Sequence, residues 1–188
     1  MNEEEIIIRQ AAADDALFIA NVVAMAIADE EALHAYCGKD YISVLAEVAS
    51  LESSQYSYRN ALIAEVGGRL AGAVVGYDGA TLHALRSNTL AVVEKRTGRM
   101  PSVVDETGEG EFYLDSLAVL PEFRGFGIGR RLLDAFCGKV FAEGHECVGL
   151  LVDYGNPKAE KLYSSLGFER VDTKPFFGHS MWHLQKRR

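Results

Sequence analysis

The chain has 188 residues, of which 48% are hydrophobic and 24% charged, the balance of a single folded domain with room for a substantial core and not of a disordered polyelectrolyte. Its formal net charge of −8 argues against nucleic acid as a partner, because phosphate recognition needs basic patches, and no apolar run approaches the length that would make the membrane a partner. Three cysteines, Cys37, Cys137 and Cys147, odd in number, without metal-ligand spacing and with no secretory signal ahead of them, predict reduced thiols in a cytoplasmic protein.

After an acidic opening, Asn2–Glu5, the β-branched run Ile6–Ile8 predicts a first strand. Asp14 and Asp15 suit a helix start, where negative charge meets the dipole. Phe18, Val22, Met25 and Ile27 then recur at helical spacing over Leu17–Ala28, and Asp29, Glu30, Glu31 and His34 read as a solvated acidic helix end. Gly38 breaks the pattern, and Tyr41–Leu51 resumes it as a second amphipathic helix with Ile42, Leu45, Val48 and Leu51 on one side. Ala61–Val66 and Leu70–Tyr77 flank Gly67-Gly68, a hairpin signal. Thr81–Arg96 predicts a further helix through Leu82, Leu85, Leu90 and Val93, followed by a polar loop from Gly98 to Gly110.

Glu111–Leu120 reads as a central strand, apolar on both faces, with Tyr113, Asp115, Leu117 and Val119 in one alternating set and Phe112, Leu114, Ser116 and Ala118 in the other. Asp115 stands out in it. A carboxylate in such a run is costly unless paired, and burial moves it toward the range useful for a base.

The stretch Leu114–Leu133, LDSLAVLPEFRGFGIGRRLL, leaves that strand through Pro121 for a glycine-rich turn. Gly125, Gly127 and Gly129 let the backbone turn sharply and approach a ligand. Arg124, Arg130 and Arg131 add positive charge, and a helix beginning near Gly129 points unpaired N–H groups at the same place, which suits a phosphate or pyrophosphate. The spacing misses the G-x-G-x-x-G of dinucleotide folds, and no Lys-Ser/Thr follows as a P-loop requires. Leu132, Leu133, Phe136, Val140 and Phe141 give that helix a buried stripe ending near Gly144.

Cys147–Val152 predicts an interior fifth strand. Asn156-Pro157 is a capping residue followed by proline at the first helical position, Lys158–Leu166 a short helix, Gly167 its stop, and Phe168–Val171 and Met181–Leu184 the closing strands, with Lys186–Arg188 as a solvated tail. The five histidines show no metal spacing, so no metal site is expected.

Two of these stretches resemble a known pair of signatures. Arg124, Gly127 and Gly129 fill the Arg/Gln-x-x-Gly-x-Gly/Ala pattern of the GNAT superfamily of N-acetyltransferases, and Asn156, Ala159, Leu162, Tyr163, Gly167 and Phe168 match its second motif some thirty residues later. The resemblance implies an α/β GNAT fold: a mixed, mostly antiparallel sheet splayed between its fourth and fifth strands, with helices on both faces. It implies acetyl transfer from acetyl-CoA to an amine by direct attack in a ternary complex. Leu117, Ala118 and Val119 would meet the pantetheine arm; Arg124, Gly125, Phe126, Gly127, Ile128, Gly129 and Arg130 would hold the pyrophosphate; Asn156 would touch the cofactor at the mouth of the splay.

An amine is mostly protonated at neutral pH, with a pKa of about 10, and must lose a proton before it attacks. Asp115 is the first candidate base and Glu111 the second; relatives that carry an acid on the fifth strand do so where this chain has Leu151. A structural role for Asp115 stays open. Tyr163 is the family's usual acid for the departing thiolate. The first helices border the acceptor site in the family, which gives Asp29, Glu30, Glu31 and His34 a second reading as substrate contacts. The segment at about 80–110 is an insertion relative to the shortest members, either shaping the acceptor pocket or serving as a packing or dimer-forming helix; a homodimer is compatible with the family. The acceptor reads as a small-molecule amine or a peptide N-terminus, and a non-catalytic acyl-CoA-binding module is the alternative from outside the enzymes.

Overall fold

A computed structural model describes residues 5–176 and 178–188; of the acidic opening, Asn2, Glu3 and Glu4 lie outside the described residues. One seven-stranded sheet runs through the molecule: β1 (Ile6–Gln10), β2 (Ala61–Val66), β3 (Arg69–Asp78), β4 (Phe112–Val119), β5 (Cys147–Asp153), β6 (Glu169–Phe176) and β7 (His179–Arg187), in the order β1-β2-β3-β4-β5-β7-β6. Every neighbouring pair is antiparallel except β4 and β5. The helices are α1 (Ala16–Ile27), α2 (Glu30–Cys37), α3 (Tyr41–Ser50), α4 (Leu82–Thr97), α5 (Ile128–Ala142) and α6 (Pro157–Ser165).

Successive side chains of a strand point to opposite faces, and β2 and β3 are apolar on both. Ile63, Ala73 and Val75 join Ile19, Val22 and Val23 of α1 and Leu45 and Val48 of α3 in one core. Leu62, Ala64 and Val74 join Leu132, Leu133, Phe136 and Val140 of α5 in the other. Each Val, Leu, Ile or Phe among them, fully buried, contributes about 1.5–3 kcal/mol, so both helical layers are held by the same strands.

Three features differ from the sequence expectation. Glu30–Cys37 is a helix of its own: Ala28 takes a left-handed φ of 53°, which ends α1, and the Asp29 carboxylate accepts from Ala32 N at 3.0 Å to cap the new helix. The last two strands are longer than the apolar runs suggested: β6 is the sheet's edge, where exposed polar residues are tolerated, and β7 incorporates Lys186 and Arg187 because they pair with Val148 and Cys147 of β5, a backbone contact that hydrophobic patterning does not register. The simple alternation along β4 also fails. Val75 pairs with Ser116 and Gly76 with Leu114, so Asp115 is an extra residue, a β-bulge. Phe112 and Leu114 before the bulge share a core with Leu117 and Val119 after it, while Ala118 faces the opposite one.

The 80–110 segment is built into the molecule. Val92, Val93 and Thr89 of α4 are buried, Val92 and Val93 in the core beneath α1 and α3, and Leu82 packs with Tyr77 and Tyr113.

Candidate active site

The parallel pairing of β4 and β5 stops at Leu114 with Leu150. Beyond it β4 continues along β3 as far as Val119, and β5 continues along β7 as far as Asp153. The two strands therefore diverge, and the edge of β4 from Asp115 onward turns its outward backbone groups to a gap instead of to β5. A cavity of about 340 Å³ occupies this region, with Asp115, Leu117, Leu151, Asn156 and Tyr163 among its walls. Bulge and divergence begin at the same residue. The extra residue re-aims the chain where its partner leaves, and a carboxylate reaches the opening.

Next to the gap lies the glycine turn. Gly125 and Gly127 have φ of 85° and 76°, a conformation costly for any residue with a Cβ, and a Cβ at either would meet nothing within 4 Å. Gly127 caps α5 without a side chain, and the first helical bond is Arg131 N to Gly127 O at 3.1 Å. The N–H groups of Ile128, Gly129 and Arg130 precede it and have no acceptor within the helix. Ile128 is buried, Phe126 half exposed. Arg124 Nε donates to Val119 O at 2.9 Å, tying the turn to the end of β4, and Arg130 stands 3.8 Å from Asp134. This is an anion cradle open to solvent. At the other side of the gap Asn156 Oδ1 accepts from Ala159 N at 3.1 Å and caps α6, which presents Tyr163 nearly two turns later.

Tyr163 is buried, and burial pushes its phenol up to about 12, so it keeps its proton at neutral pH. Its ring packs edge-on against Phe168. Asp115 faces the same cavity. Burial, then the nearby charge of Glu106, push its carboxyl up to about 7, against the pull of Ser116 and Tyr77 hydrogen bonds and of Arg86.

Glu111 belongs to a different group. It does not line the cavity; its carboxylate accepts from His183 Nε2 at 2.8 Å, Gln185 Nε2 at 2.8 Å and Thr107 Oγ1 at 2.7 Å. Burial raises this carboxyl, but those hydrogen bonds outweigh it and hold it below the usual carboxylate range. The side chain reaches β7 by crossing β5 at Gly149, where a Cβ would collide with it.

Several lining groups had no sequence signal strong enough to single them out. Glu106, from the polar loop after α4, is buried and accepts from Tyr77 Oη at 2.7 Å and Gln55 Nε2 at 2.9 Å while pairing with Arg86. Arg86 also meets Asp105 at 2.5 Å. A signal for Arg86 existed: it shares the buried stripe of α4 with Leu82, Thr89 and Val93, where a charge must have a partner. At the cavity's outer end His179 Nδ1 lies 2.9 Å from Asp153 and Nε2 3.5 Å from Asp29, joining β7, β5 and the start of α2. Asp29 touches the cavity wall only through His179, and none of Asp29, Glu30, Glu31 and His34 is among the lining residues.

Comparison with known proteins agrees with this geometry. The Acetyltransferase (GNAT) family model matches residues 31–168, which include the splay, the glycine turn and α6. The chain belongs to the GNAT family. A crystal structure of an acetyltransferase shares 34% sequence identity and superposes with a TM-score of 0.81, covering 96% of this chain and 98% of that one. An N-acetyltransferase from Staphylococcus aureus Mu50 shares 26% identity with a TM-score of 0.83 over 95% of this GNAT chain and 99% of the other. The mycothiol acetyltransferase of Paenarthrobacter aurescens strain TC1 is 36% identical over 86 residues, 46% of this chain and 24% of that protein; the chain spans about a quarter of the length of the curated relatives it matches. Among the described residues no helix is long and apolar enough to cross a membrane.

Proposed function

We propose that this GNAT protein is an acetyl-CoA-dependent N-acetyltransferase that acts on a small primary amine. The observation that carries the reading is a carboxylate and a tyrosine, Asp115 and Tyr163, facing one cavity at the point where β4 leaves β5. The residues present fit the cofactor. The turn from Arg124 through Arg130, with its unpaired amides and open glycines, suits the pyrophosphate, and the free edge of β4 at Leu117, Ala118 and Val119 suits an amide-bearing arm. Asn156 would stand at the mouth. Acetyl-CoA, when bound, supplies the thioester carbonyl that the amine attacks.

The protein's own part is to manage protons and charge. The acceptor arrives as an ammonium, and Asp115 takes its proton, with a carboxyl near 7 far closer to the amine's value of about 10 than an ordinary aspartate is. A β4 backbone N–H at Leu117 or Val119 is oriented to stabilise the oxyanion that develops in the attack. Tyr163 Oη holds the proton that the departing sulfur needs. Among the described lining residues the carboxylates are Glu106, Asp115 and Asp153, and the one guanidinium, Arg86, is already engaged by Asp105 and Glu106. That charge balance favours a cation and offers nothing to an acceptor's own carboxylate.

Release of CoA thiol from acetyl-CoA, measured with a panel of small amines and short peptides, tests the proposal. Turnover with small amines supports it, turnover confined to peptides moves the assignment to a peptide N-terminus, and cofactor binding with no turnover on any acceptor would leave a non-catalytic module. Asp115→Asn should lower kcat/KM by about 10²-fold or more while the dissociation constant for CoA stays unchanged.

A further inference from the structure

Of the three carboxylates that line this cavity, Glu106 and Asp115 share one neighbour, the Tyr77 hydroxyl, and their surroundings are unequal. Glu106 receives Tyr77 Oη at 2.7 Å and Gln55 Nε2 at 2.9 Å on one oxygen and the Arg86 guanidinium on the other. Asp115 receives Ser116 Oγ at 2.8 Å, and its second oxygen stands 3.4 Å from the same Tyr77 hydroxyl. A phenol has one hydrogen, and here it lies on the shorter contact, toward Glu106. Gln55 is fixed in the same sense: a carboxylate only accepts, so the amide must turn its nitrogen to Glu106, which leaves Gln55 Oε1 buried without a partner. The backbone N–H of Gln55 donates to Thr89 Oγ1 at 3.1 Å, so the main chain that carries this side chain is anchored to α4.

We propose that Glu106, brought into the cavity by the segment between α4 and β4, is a positioning residue for Asp115: its carboxylate, linked through Tyr77, keeps Asp115 as the carboxyl that takes the proton. This rests on Asp115 being the base. Two carboxylates that share one hydroxyl repel each other when both are ionised, and Glu106 is the one that holds the guanidinium and the better donors. The other becomes the proton acceptor. The groups facing Asp115 are Tyr77 from β3, Tyr113 and Ser116 from β4, Arg86 from α4, Tyr36 from α2, and Gln55, Tyr56 and Glu106 from the connecting segments. Burial holds all four tyrosines above their ordinary range and therefore neutral. Among the formal charges acting on Asp115, Glu106 favours its protonated form and Arg86 opposes it. Glu106 is on the insertion, so that segment acts on the chemistry as well as on the shape of the pocket.

The test is a direct titration of Asp115 by carboxyl ¹³C NMR in aspartate-labelled protein, with the signal assigned by its loss in Asp115→Asn. Glu106→Gln should lower its midpoint by about one pH unit or more, and Glu106→Asp, which keeps the charge, should restore most of the shift. Because Glu106→Gln takes away the buried carboxylate partner of Arg86, leaving it Asp105, and destabilises the fold, the charge-balanced double variant Glu106→Gln with Arg86→Gln provides the second measurement, with a smaller downward shift expected. A midpoint that stays within 0.3 units, roughly twofold in the protonation equilibrium, in Glu106→Gln, or in the double variant where the single one does not fold, would overturn the role of Glu106. Unchanged turnover in Asp115→Asn would instead overturn the base on which it rests, so the two failures are distinguishable.

Discussion

At Asp115 and Tyr163 the same force, exclusion from water, has opposite uses. Removing a carboxylate from solvent disfavours its charged form and makes it a better proton acceptor near neutrality; removing a phenol keeps it protonated and able to donate. The signs give a pH profile. A base works deprotonated, so turnover should rise as pH climbs through about 7 and fall below it. Tyr163, as the acid proposed for the departing sulfur, would have to keep its proton and loses it only near 12, so no alkaline decline from this residue is expected below pH 10 or so. The kcat/KM profile of the wild-type protein checks this, and a flat profile between pH 5.5 and 8 would count against Asp115. Tyr163→Phe removes the donor while its ring still packs on Phe168. It should reduce kcat about 10-fold to 10²-fold with CoA affinity retained, and an unchanged single-turnover rate would remove Tyr163 from the chemistry.

Among the elements, the joint between β4, β5 and β7 is the most tightly specified. Glu111, although second in the sequence reading as a base, spans this joint below the point of divergence, taking hydrogen bonds from His183 and Gln185 of β7 over a glycine of β5. Its carboxyl is held below its ordinary value, so the stability it contributes is present above about pH 4.5 and lost as pH falls through the folded value. Glu111→Gln should therefore cost about 1–3 kcal/mol at pH 7, with the difference from wild type shrinking by pH 3.5 in urea unfolding. Gly149→Ala should cost a similar amount, about 1–3 kcal/mol, because the added methyl displaces a carboxylate held by three donors. Both should leave the titration of Asp115 in place. A lost acid limb in Glu111→Gln would reassign the base to Glu111.

On the scale of the whole molecule, the 80–110 segment joins core and cavity. Leu82, Thr89, Val92 and Val93 are buried, so deleting the segment would remove core along with pocket and unfold the protein. Its effect on acceptor choice is better read from Val103, which packs against the core and lines the cavity. Val103→Trp should reduce kcat/KM for a bulky amine at least 10-fold more than for a slender one, since steric exclusion of this kind is worth about 1–3 kcal/mol. Equal losses for both amines would mean that the 80–110 segment does not shape selectivity.

Much of this molecule could be read from local order. The hairpin at Gly67-Gly68, the glycine turn from Arg124 to Arg130, the Asn156-Pro157 helix start and Tyr163 lie in short stretches whose backbone needs are met by neighbours in sequence: a glycine where φ is positive, a cap where amides are unpaired, a proline where no donor is needed. The separate helix α2 escaped because an alanine, not a glycine, makes the break. Asp115 was visible as a charge in an apolar strand, but its bulge was not, since a bulge depends on register with β3. Glu106, Gln55, Tyr77 and Arg86 come from four distant parts of the chain and acquire meaning only on meeting. Whether a carboxylate is a clamp, as Glu111 is held, or a charged neighbour, as Glu106 is held, is decided by the donors that surround it, and those arrive through tertiary contacts that no local pattern encodes.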